Sequence, residues 1–92
     1  MYLYHIRFVN AREKFEKIGI TKRSPQERFS SQFYKTYELE ILHLVRGEDV
    51  YIRQLEKELH KKYEEISYLP LVESFSGKTE CFEPHIINLS NY

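Results

Sequence analysis

Residues Tyr2 to Phe8 alternate with the period of a β-strand: Tyr2, Tyr4, Ile6 and Phe8 share one face, and Leu3, His5 and Arg7 the other. A polar turn over Asn10 to Lys14 leads into a second strand from Phe15 to Thr21, which predicts an antiparallel hairpin. Ser24-Pro25-Gln26-Glu27 has the S-x-x-E form of a capping box with proline at the first helical position. A helix is therefore expected from there to about Tyr34, with Phe29 and Phe33 four apart and able to face a core. Tyr37 to Val45 reads as a third strand ended by Gly47. Glu48 and Asp49 then open a second helix, since acids are favourable at its positive end, and it runs to about Glu64. Pro70 and Gly77 mark a loop, Thr79 to Phe82 a brief extended piece, and Pro84 the start of a short closing helix to Leu89.

Two places depart from simple packing logic. In Lys17 to Phe29, a strand bearing Ile18, Gly19 and Ile20 turns tightly into the capped helix, which puts Arg28 on its first turn. A cation facing a glycine-bearing strand suits an anionic group such as a phosphate. In the second helix, Ile52, Leu55, Leu59 and Tyr63 form one apolar stripe, yet Glu56 projects within its edge and His60 lies one turn further on. An ionised glutamate there is costly unless it meets a cation or a metal. On the helix alone, a salt bridge to a lysine or arginine of the sheet is the favoured account.

Composition narrows the class. Ninety-two residues make a single domain, 1–92, with a modest core. Fourteen basic and fourteen acidic side chains cancel, which argues against a strongly basic, non-specific nucleic-acid coat but leaves room for a local basic site. The lone Cys81 cannot form an internal disulfide, so a reducing, cytoplasmic setting is expected, in a host cell if the gene is viral or mobile. No apolar run approaches membrane-spanning length, and no signal-peptide pattern opens the chain. Eight tyrosines and six phenylalanines are enough to fill a small core or to offer stacking surfaces.

Taken together and in order, these motifs resemble the GIY-YIG nuclease superfamily, in particular its small phage-type branch with lysine in place of the second tyrosine. Tyr2-Leu3-Tyr4 lies where the family has Gly-Ile-Tyr, and Lys17-Ile18-Gly19 where it has Tyr-Ile-Gly. Arg28 matches the helix arginine, Glu56 in LEKELH the metal-binding glutamate, and Thr79-Glu80-Cys81-Phe82 the short Glu-Trp-Phe segment of that branch. The departures are Tyr2 at the first glycine and Lys17 at the usual tyrosine.

The resemblance implies an α+β fold, a small three-stranded antiparallel sheet flanked by helices, and a metal-dependent endonuclease acting on nucleic acid, with DNA expected before RNA. It implies Tyr4 as general base or water-orienting group, Lys17 as the group that lowers its pKa or holds the water, and Arg28 as a grip on non-bridging oxygens. It further implies Glu56 as ligand to Mg2+ or Mn2+. His60 joins the candidates as a neighbour of the metal or a substrate contact. Each residue also has a plain alternative: Tyr4 as a core aromatic, Lys17 as a strand lysine, Arg28 as a partner of Glu27 or Gln32, His60 as a surface residue. Glu80 reads as a structural partner. The second function weighed is a non-catalytic nucleic-acid- or protein-binding module on the same fold. Small size and neutral charge favour that module, or an enzyme relying on a homodimer or a partner protein.

Overall fold

The computed structural model describes residues 1–23, 37–69 and 81–92. The capping box at Ser24, the helix expected from it and Arg28 lie outside the described residues, as does Glu80. The hairpin forms as the alternation predicts. β1 (Tyr2–Val9) pairs antiparallel with β2 (Lys14–Thr21), placing Tyr4 opposite Gly19 and Ile6 opposite Lys17. The Asn10 side chain holds the turn by accepting the amides of Arg12 and Glu13, each at 2.9 Å.

β3 (Glu38–Arg46) pairs antiparallel with the other edge of β1. Its register shifts between His5 and Ile6: His5 opposes His43 while Ile6 opposes Ile41, so Leu42 is the extra residue of a bulge. The expected extended piece is a two-residue strand, β4 (Cys81–Phe82), paired with Glu16 and Lys17 of β2. The fold is α+β as expected, and among the described residues the sheet has four strands rather than three, in the order β3-β1-β2-β4.

α1 (Asp49–Lys62) begins at the acidic pair and ends on His60, Lys61 and Lys62, charges that suit the helix dipole at both ends. A single 3-10 turn, Glu64–Ile66, follows it. Ile52, Leu55 and Leu59 are the buried stripe, and they pack on Leu3, Ile18 and Phe82 with Ile87 and Leu89. On the reverse face of the sheet Tyr4, Ile6, Phe8, Phe15, Tyr37 and Cys81 form a second cluster. There Phe8 and Phe15 stack at 5.1 Å, with Tyr37 edge-on to both. The sheet is thus apolar on both faces, which is why so small a chain needs so many aromatics.

The closing helix expected from Pro84 does not form. Pro84 and His85 make a turn, and His85 takes the left-handed φ of 67°, which no helix continues through. Beyond it Ile87 and Leu89 are buried while Ile86 and Asn88 are exposed, a period of two that an extended segment satisfies and a helix does not.

Candidate active site

Tyr4 and Lys17 are brought together by hairpin register. Both point to the face of the sheet opposite α1, on neighbouring strands and offset by two residues in register, and Lys17 Nζ lies 5.7 Å from the centre of the Tyr4 ring. That separation is a cation–π contact, worth about 0.5–2 kcal/mol as it leaves water. Each residue is only 1% exposed.

Gly19 makes the arrangement possible. A Cβ built there would stand 2.2 Å from the Tyr4 hydroxyl oxygen and 2.6 Å from Cζ, so the ring lies across the space a side chain would fill. Because the ring is buried, it has little room to retreat. Gly19→Ala should therefore displace the Tyr4 hydroxyl and cost about 1–3 kcal/mol of stability by overpacking. A denaturation midpoint equal to that of the wild type would count against this packing.

α1 packs on the other face, and its link to the Tyr4–Lys17 pair runs through the edge of β2. His60 Nε2 donates to the Ile18 carbonyl at 2.9 Å, just past the last β2 residue paired with β4, and its ring meets Phe82 edge-on at 5.2 Å. A carbonyl only accepts, so Nε2 carries the proton. His60 therefore ties α1 to the residue next to Lys17. Glu56, half-buried, lies one turn earlier on the same flank of the helix. Of the five residues expected at the site, Tyr4 and Lys17 are in contact and Glu56 and His60 share the α1 flank at the β2 edge. Arg28 is outside the described residues.

The other tyrosines of this face are held as donors. Tyr37 and Tyr68 both donate to Glu13 at 2.7 Å. Burial together with these bonds pushes Tyr68 up to about 12 and raises Tyr37 as well, so neither serves as a base near neutral pH.

A residue that the sequence pattern did not single out is held by three partners. Glu16, fully buried, accepts from His5 Nε2 at 2.6 Å, Arg7 Nε at 3.1 Å and the His85 amide at 2.9 Å. Burial pushes its carboxyl up, but the bonds from His5, the His85 amide and Arg7 outweigh that and hold it at about 2. The left-handed turn at His85 aims its amide at this carboxylate.

A family model, the T5orf172 domain, matches residues 1–90. The chain belongs to the T5orf172 domain family. That family is associated with nuclease-type domains of phages. No curated protein and no solved structure matches the chain significantly. No described helix of this T5orf172 domain is long and apolar enough to cross a membrane.

The donor set bears on the metal that the resemblance implies. Among the described residues no cluster of three His, Cys, Asp or Glu side chains could hold an ion. Mg2+ and Mn2+ do not require one. A hard cation of this kind is commonly held by one or two carboxylates, with water and substrate phosphate completing the shell. Glu56, a half-buried carboxylate, fits that pattern as a single protein ligand.

Proposed function

We propose that this T5orf172 domain is a divalent-metal-dependent endonuclease that hydrolyses phosphodiester bonds, with DNA as its first substrate. The observation that supports this reading most is the contact of Tyr4 with Lys17 across Gly19, at the positions where the resemblance asks for the reacting pair. An ammonium beside a phenol favours the ionised phenolate, the form able to take a proton from water. The water oxygen bonds to phosphorus, its proton passes to Tyr4, and the bond from phosphorus to the departing sugar oxygen breaks. Arg28 neutralises non-bridging oxygens through its fork. Glu56 would hold Mg2+ or Mn2+, which when bound supplies Lewis-acid stabilisation of the departing oxygen. His60 fixes α1 against β2 and so sets where Glu56 stands.

One observation favours the alternative of a non-catalytic binding module. Tyr4 and Lys17 are each 1% exposed, and a general base has to come within hydrogen-bond reach of the water it activates. The two readings separate in an assay of the wild-type chain on plasmid, single-stranded DNA and tRNA, with Mg2+, with Mn2+ and with chelator. Metal-dependent cleavage of any of these supports the enzyme, and cleavage of tRNA alone moves the substrate to RNA. Binding without cleavage under every condition supports the module.

A further inference from the structure

We infer that the α1 side of the sheet carries a second metal site, distinct from Glu56, in which His5 and His43 together bind a divalent transition-metal ion of the zinc class. The two residues are direct cross-strand partners on one face, next to the bulge at Leu42. Side chains so placed start about 4.5–5.5 Å apart at Cβ, which suits two imidazoles closing on one ion. Both line a cleft of about 250 Å3, completed by Arg7, Leu42 and the extended segment from Ile87 to Ser90.

Each ring leaves one buried nitrogen unsatisfied. His5 Nδ1 and His43 Nε2 have no hydrogen-bond partner among the described residues, and His5 is only 1% exposed. A buried polar atom without a partner is costly, and two in one cleft call for a shared explanation.

The surroundings of His5 indicate which explanation fits. Its Nε2 donates to the Glu16 carboxylate, so in the neutral ring the Nδ1 lone pair is free to coordinate. A histidine that gives its other ring proton to a carboxylate is the usual support behind a metal ligand, because the bond fixes the tautomer and strengthens the donor. Glu16 is itself fixed by Arg7 and by the His85 amide. Arg7, the charged side chain among the described residues lining the cleft, is bonded to the Glu16 and Glu40 carboxylates, which offset its charge. Imidazole donors select zinc, copper or nickel over magnesium. Among the described residues no third imidazole, thiol or carboxylate joins the pair, so the remaining positions fall to water and the polar side chains of Asn88 and Ser90.

The test uses the intact chain, stripped with chelator and titrated calorimetrically with ZnCl2 and separately with MgCl2. One zinc per chain should bind, and the ring protons of His5 and His43 should shift together in the proton NMR spectrum while those of His60 stay in place. His43→Gln, on an edge strand and half-buried, should weaken zinc binding at least tenfold, whereas Glu56→Gln should leave it unchanged. The wild-type spectrum decides the matter even if a variant fails to fold. No zinc binding would overturn the site and leave an ordered water as the partner of both nitrogens. Binding that His43→Gln does not weaken, or that Glu56→Gln abolishes, would overturn it too. Neither result bears on cleavage, so the proposal stands or falls apart from the nuclease reading.

Discussion

Tyr4→Phe should lower metal-dependent cleavage by about 10²–10⁴-fold, the usual contribution of a positioned acid–base group. The variant keeps the ring over Gly19 and its contact with Lys17, so the apolar cluster with Ile6 and Phe8 is preserved. Only the hydroxyl is removed, and a single hydrogen-bonding group changes stability by about 0.5–1.5 kcal/mol. The expected signature is a large fall in the single-turnover rate beside a small change in melting temperature. A cleavage rate within a few fold of wild type would make Tyr4 a core aromatic and remove it from the reaction.

Glu16→Ala should destabilise the chain by about 3–5 kcal/mol, the cost of breaking a buried pair from one side. His5 and the His85 amide would each lose a buried acceptor, and Arg7 would keep only Glu40. A small domain has only about 5–15 kcal/mol in total, so the loss should be plain in a urea or thermal melt. The same carboxylate predicts an acid transition. Its folded pKa of about 2 lies below the ordinary value of 4.5, so its stabilisation is fully present above pH 4.5 and is lost as pH falls toward 2. The size of that contribution is roughly 3 kcal/mol, from the shift of one ionisation. In the Glu16→Ala variant the melting temperature should fall less between pH 5 and pH 2 than in the wild type. An identical acid profile in the two proteins would show that Glu16 is not the group responsible.

The parts of this fold legible in the sequence are those fixed by short-range periodicity. Alternation from Tyr2 to Phe8 and from Phe15 to Thr21 gave the hairpin, and its register alone places Tyr4 beside Lys17. The stripe of Ile52, Leu55 and Leu59 gave α1 and the face it buries. The closing segment was misread because Pro84 fits the first turn of a helix, while the two-residue spacing of Ile87 and Leu89, the better signal, spans too few residues to stand out. Glu16 was illegible for a different reason. A glutamate between Phe15 and Lys17 reads as a solvent-facing strand residue, and its partners come from β1 and from His85, 69 residues away. The bulge that sets His43 opposite His5 carries no glycine or proline to announce it. For the candidate site, the sequence supplied the residue types and their order, and the structure adds the contact of Tyr4 with Lys17 and the tie from His60 to Ile18.

The central proposal is that Glu56, on the α1 side at the β2 edge, and the Tyr4–Lys17 pair on the other face of the sheet serve one metal-dependent nuclease reaction. The most direct test is Glu56→Gln, measured by Mg2+- or Mn2+-dependent cleavage of DNA together with melting temperature in chelator. The substitution keeps the shape of the side chain and removes the charge that a hard cation requires. The account predicts cleavage lowered by orders of magnitude with the chelator melting temperature retained or raised, because a charge at the edge of the apolar stripe has gone. Undiminished cleavage, or a large loss of stability with no cleavage by the wild type on any nucleic acid, would contradict it.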